Sequence, residues 1–208
     1  MTERARRSPR AREAAAERTA SRRQQVLDAA AACFTRSGFH GASMAEIAKA
    51  ADISAGHIYN LFENKEDIIS AIVQQEQDEM HAVVGDIEQQ PDVMRAMVER
   101  AIEGVHNTTD PERAGLRLEV VAEASRNARM AEIVQAADAQ GRERLRAMML
   151  KAWGPNARRH SKADVDARID ALSAIFDGLT VRTVRHPQMD KDRVAKVVGR
   201  MIRALMED

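Results

Sequence analysis

Apolar residues recur at spacings of three and four along nearly the whole chain, and period-two alternation is almost absent, which predicts an all-α protein. Val26, Ala30, Cys33, Phe34 and Ser37 line one face of a helix that should end at Gly38. Ile47, Ala48 and Ala51 share a face in a short second helix, and a third runs from Ala55 to about Leu61. A long helix starts at Lys65 and carries Ile68, Ile69, Ile72, Val73, Met80, Val83, Val84 and Ile87. The pattern breaks at Gln89-Gln90-Pro91-Asp92, around Asn107 to Glu112, at Gly154-Pro155-Asn156 and at His186-Pro187. These breaks, with a further boundary between Asn127 and Ala128, separate five further helices: one with Met94, Met97, Ala101 and Val105, one with Leu116, Val120 and Val121, one with Ile133, Leu145, Met148 and Met149, and a final pair near 164–185 and 190–206. About nine helices are expected in all.

The front of the chain carries the most specific local chemistry. Ser43 with Glu46 three residues on makes a capping box. Asp52-Ile53-Ser54 reads as a turn, with Ser54 as the N-cap of the next helix. Two short helices joined this way form a helix-turn-helix, whose second helix can enter a DNA major groove; a generic helical corner gives the same pattern. Asn64 is placed to cap the following helix, and Lys65 at its start suits a phosphate.

Residues 26–69 also resemble, from Val26 through Ile69, the DNA-binding domain of the TetR (tetracycline-repressor-like) family of bacterial transcription regulators. Phe34 and Gly38-Phe39 match the end of that family's first helix; Ser43, Ile47-Ala48 and Ala51 its second; Ile53-Ser54, Gly56 and Ile58-Tyr59 its turn and third; Phe62, Lys65 and Glu66 the entry to its fourth. The resemblance implies a three-helix DNA-binding domain over 23–66 and a helical ligand-binding and dimerisation domain over 67–208. It implies phosphate contacts from Tyr59 and Lys65. Ser43, Ser54, Ala55, Gly56, His57 and Asn60 complete the expected DNA surface: His57 and Asn60 suit base edges, Ala55 a thymine methyl, and Gly56 a close backbone approach. The last two helices of such proteins form a four-helix dimer bundle, which points to Leu172, Ile175, Phe176, Leu179, Val198, Met201, Ile202 and Leu205 as interface residues. Closing the monomer core would use the same residues. Gly178 and Gly199 interrupt strong helical patterns there, and a close helix crossing would explain both.

Charge changes this picture in one place. The whole chain is neutral, with 32 basic and 32 acidic residues, yet residues 1–23 hold eight arginines against three glutamates. Residues 1–22 therefore read as a basic flexible arm, either a solubilising tail or an added grip on duplex DNA through phosphates or a minor groove.

Composition narrows the rest. The single cysteine, Cys33, allows no intrachain disulfide, suits a reducing cytoplasm and reads as a packed core thiol. No apolar run reaches membrane-spanning length and no secretory signal pattern is present, so a cytoplasmic location is expected. The six histidines show no metal-ligand spacing, and the chain has neither a phosphate loop nor a nucleophile elbow; no enzyme activity, cofactor or metal is expected. Beyond Phe62 the aromatic residues are only Trp153 and Phe176, while methionine is plentiful. Met80, Met94, Met97, Met148 and Met149 with Val120 make the expected pocket for a small apolar or amphipathic effector, although each also reads as ordinary core. The expected function is a homodimeric repressor, released from a near-palindromic duplex by that effector. The alternative is a structural or partner-controlled DNA-binding protein on the same fold without an effector.

Overall fold

The computed structural model describes residues 9–207, with side chains for Arg10 and from residue 13 onward. The described residues are helical throughout, with no strand, and fall into two compact units divided between Ala71 and Ile72.

The first unit holds α1 (Pro9–Gly41), α2 (Met44–Ala50), α3 (Ala55–Tyr59) and the start of α4 (Lys65–Glu88). α1 is broken at Gly38, whose φ of 71° and ψ of 167° leave the helical region; only glycine adopts that conformation without strain. The single turn beyond it closes with Ala42 N–H donating to the Gly38 carbonyl at 3.1 Å. Val26, Ala30, Cys33, Phe34, Phe39, Ile47, Ala48, Ile58, Phe62, Ile68 and Ile69 are buried together as the core, so the apolar stripe read from the sequence is the stripe that packs.

The expected flexible arm differs. Arg4, Arg6 and Arg7 lie outside the described residues, but residues 9–22 continue α1 as helix. The physical reason is composition: this stretch is nearly all Ala, Arg and Glu. These residues lose little on entering a helix, and extension of an existing helix avoids the cost of nucleation.

The second unit takes the rest of α4 with α5 (Val93–Thr108), α6 (Pro111–Ala124), α7 (Ala128–Trp153), a 3-10 turn (Gly154–Arg159), α8 (Lys162–Arg185) and α9 (Lys191–Met206). Asp92, Asp110, Asn127, Ser161 and Asp190 each cap a helix by accepting from backbone N–H groups of its first turn. The core gathers Val84, Ile87, Met97, Val105, Met148, Met149, Trp153, Val165, Ile169, Leu172, Val198 and Ile202. Two glycines set its helix crossings. A Cβ at Gly199 would sit 3.3 Å from Val98 Cγ1, and one at Gly104 would sit 3.2 Å from Phe176 Cε1. Trp153 Nε1 donates to the Met206 carbonyl at 2.7 Å, tying the last turn of α9 to the end of α7. No helix of the described residues is long and apolar enough to cross a membrane.

Candidate nucleic-acid interface

The capping box at the start of α2 is complete. Glu46 N–H donates to Ser43 Oγ at 3.2 Å, and Ser43 N–H donates to Glu46 Oε2 at 2.8 Å. The Ser43 amide first, and then the Ser43 hydroxyl donating to the same Oε2 at 2.9 Å, hold the Glu46 carboxyl below the usual carboxylate range. The turn into α3 places Asp52 at φ 50°, a left-handed conformation that Asp tolerates better than most residues. Ile53 N–H then donates to the Ala48 carbonyl at 3.0 Å. Ser54 caps α3 by accepting from His57 N–H at 3.2 Å. Ile58 is fully buried and anchors α3 to the core.

With Ile58 inward, the rest of α3 faces out. Ser54, Ala55, Gly56, His57, Tyr59 and Asn60 are all exposed, as is Ser43 at the head of α2. Tyr59 is 56% exposed despite its ring. A Cβ at Gly56 would meet nothing within 4 Å. Unlike Gly104 and Gly199, Gly56 therefore has no packing reason inside its own unit to be glycine.

Lys65 departs from its expected place. It is only partly exposed, and its ammonium donates to the Phe39 carbonyl at 2.5 Å and the Ala42 carbonyl at 2.8 Å while lying 4.5 Å from the Phe39 ring centroid. Two of its three N–H groups thus latch the loop between α1 and α2. The carbonyls left open by the break at Gly38 attract the cation more closely than solvent does. Asn64 does cap α4, accepting from Asp67 N–H at 2.9 Å. Arg23 belongs to the same surface and was not expected there: Nη1 donates to the Leu61 carbonyl at 3.1 Å, and the guanidinium lies 4.1 Å above the Phe62 ring. Its partner is 38 residues away, beyond any local spacing signal.

Family models match both halves of the chain: the bacterial regulatory protein model of the tetR family over residues 26–72, and the C-terminal model of BetI-type transcriptional repressors over residues 93–207. The chain belongs to the TetR family. Among TetR-family relatives it is 34% identical over 113 residues to the HTH-type transcriptional regulator UidR of Escherichia coli K12, a match covering 54% of this chain and 57% of UidR. The chain thus spans less than two thirds of the curated relative it matches. Among solved structures it resembles Salmonella enterica GusR, with a TM-score of 0.74 at 25% identity over 90% of this chain and 96% of that one. It also shares the fold of FadR from Bacillus subtilis, solved in complex with stearoyl-CoA, with a TM-score of 0.73 at 18% identity over 87% and 97% of the two chains.

In the second TetR unit the expected residues divide. Met97, Met148 and Met149 share the core and the partly buried Met94 packs against it, but Met80 is 49% exposed and Val120 is buried outside that cluster. α4 is held there by polar ties on the side that Met80 also occupies. Arg113 pairs with Glu79 at 2.8 Å, Arg117 pairs with Glu76 at 3.1 Å, and Arg144 donates to the Gln77 carbonyl at 2.9 Å.

The expected dimer set also divides. Leu172, Leu179, Val198 and Ile202 are buried in the unit's own core, Ile175, Phe176 and Leu205 pack against it, and Met201 alone of the eight is exposed. The outward face carries Val181, Val184, Val197 and Met201 instead. An open apolar groove runs between α8 and α9, floored by Leu179 and Val198 and rimmed by Arg182, Arg185 and Arg193. Spacing gave the apolar residues of these helices, without saying which of them the monomer would cover. Gly178 lines this groove, and a Cβ there would meet nothing within 4 Å.

Proposed function

We propose that the protein is a transcriptional repressor that binds a near-palindromic duplex as a homodimer and is released by a small apolar or amphipathic effector. The observation that carries the reading is α3: a capped helical turn that buries Ile58 and exposes His57, Tyr59 and Asn60 around a glycine with open space before it. His57 and Asn60 supply hydrogen-bonding groups for base edges, Tyr59 reaches a phosphate, and Gly56 lets the backbone close on the duplex. Lys65 is not part of this set, because its ammonium is engaged inside the fold.

The dimer reading rests on the groove of α8 and α9. Exposed valines and a methionine on adjacent helices, beside a glycine without an internal neighbour, suit a second copy related by a two-fold axis. Two copies present two α3 helices, and a symmetric site follows. The match to BetI-type repressors supports repression rather than activation.

The effector reading rests on the methionine cluster and on α4, which runs unbroken from one unit into the other. Arg113, Arg117, Arg144 and Lys151 hold its second half through side chains and carbonyls. Such ties can be exchanged at small cost, and a ligand that binds the off-DNA conformer more tightly shifts the population toward it.

Selecting duplexes from a random pool tests the reading, followed by sedimentation of the free and bound protein and a compound screen for release. An inverted repeat bound by a dimer is expected. A monomer with equal affinity for every duplex overturns it.

A further inference from the structure

The N-terminal extension of α1 is a helix that turns three of its arginines toward one side, while Arg10 falls with the glutamates. At roughly 100° per residue, Arg18, Arg22 and Arg23 fall within an arc of about 140°, and Glu13 and Glu17 lie on the opposite side. Residues 16–25 are exposed. Arg18 has no hydrogen-bond or ion-pair partner among the described residues, and Arg22 reaches only Gln25 Oε1 at 3.2 Å. Arg23 fixes the orientation of this face. Its bond to the Leu61 carbonyl and its stacking on Phe62 place the Arg23 edge of this arc against the C-terminal end of the α3 segment, two residues beyond Tyr59, with Arg22 about 100° and Arg18 about 140° around the helix from it. Arg22 and Arg18 follow about 1.5 and 7.5 Å farther along the axis.

Between residues 24 and 65 the reading head carries only Arg36, Lys49 and Lys65 as cations against Asp28, Glu46, Asp52 and Glu63, and Lys65 is turned inward. Its own surface supplies little attraction for a polyanion.

We propose that the helical extension of α1 is a second DNA-contacting element, in which Arg18 and Arg22 grip phosphates flanking the segment read by α3. This rests on the DNA-binding reading above and adds what that reading lacks, a source of sequence-independent affinity. The extension acts as a preformed rod rather than a loose arm, so little ordering cost opposes its contacts.

The test measures binding to the selected duplex as a function of salt. Each arginine withdrawn from a phosphate lowers the slope of log K against log [salt] by about 0.9, so R18Q/R22Q in both copies of a dimer lowers it by about 3.6. Glutamine keeps the helix, and circular dichroism checks that it does. R18K/R22K should restore most of the slope, since the charge returns. T19P breaks the rod while leaving every charge in place, and should weaken binding severalfold. Trimming the duplex to the segment under α3 should erase the difference between wild type and R18Q/R22Q. An unchanged slope in R18Q/R22Q overturns the proposal while leaving the DNA-binding reading intact. Full affinity in T19P overturns the rod. If the wild type prefers no duplex, the parent reading falls, and this proposal falls with it.

Discussion

The two units expose opposite kinds of surface from equally well-formed helices. In the first, the side chains facing out of α3 are mostly polar around one aromatic ring, and Ile58 is inside. In the second, α8 and α9 leave Val181, Val184, Val197 and Met201 in the open. Exposed polar groups are the ordinary condition of a protein surface, whereas a grouped apolar face asks for a cover. Open glycines mark both places: Gly56 and Gly178 each have free space where a Cβ would go, while Gly104 and Gly199 are pressed against a side chain of their own chain. Gly85 and Gly154 are open as well, so open space by itself names no partner; under the function proposed above, the polar face of α3 suits duplex DNA and the apolar face of α8 and α9 suits a second copy.

The sharpest way to break that contrast is to charge the apolar face. V197E/M201E is expected to leave the helical content intact and to yield monomers by sedimentation. The loss of paired half-sites then lowers duplex affinity by about 100-fold or more. A charged variant that stays dimeric removes α8 and α9 from the interface.

The glycine comparison gives the next largest effect, and each substitution has two readouts of opposite sign. G56A and G178A should each stabilise the folded chain by about 0.5–1 kcal/mol in thermal or urea unfolding, since a helical glycine with open space gains from a methyl group. G56A should nevertheless weaken duplex binding by about tenfold without altering assembly. G178A should weaken assembly first. If either substitution raises stability without a cost to its partner, that glycine has no partner at that position.

The smallest effect concerns the scaffold beneath α3. S43A should cost about 1 kcal/mol of stability through loss of the N-cap. Glu46 titrates below its ordinary value because Ser43 donates to its ionised form. Its contribution is therefore present above the unfolded carboxylate pKa and is lost as pH falls through the lowered folded one. E46Q should flatten the acid limb of the stability profile of the first unit and leave the neutral limb nearly parallel to wild type. An acid limb of unchanged slope argues against the capping box as its source.

The first unit could be read from its residues because its determinants are local. Ser43 with Glu46, Ser54 with His57, and Asn64 with Asp67 are all three residues apart, and each bond formed as the spacing implied. Determinants that span the chain were invisible. Lys65 meets carbonyls 23 and 26 residues away, so its position at a helix start suggested an anion while its fold partner lay elsewhere. Arg23 was missed for the same reason. In the second unit, helical spacing gave the elements and the breaks between them but not which apolar side the monomer would cover. Leu172 and Ile202 went inward, and Val184 and Val197 were left out. Met80 shows a further limit: it lies on the helical repeat of α4, yet it is exposed, on a side of the helix where Glu76 and Glu79 pair with Arg117 and Arg113. For residues 9–22 of the expected flexible arm, charge density argued for disorder, while the alanine content argued for the continuation of α1 that is found.

The latch at Lys65 bears on how basic residues at helix starts are to be understood. Once a lysine's ammonium donates to carbonyl oxygens left bare by a break in an earlier helix, it keeps its charge, but two of its three N–H groups are already taken and are not available to a phosphate. Swapping it for arginine would replace a compact ammonium with a planar fork of different donor geometry, so the kink at Gly38 is by itself a reason for lysine at this position.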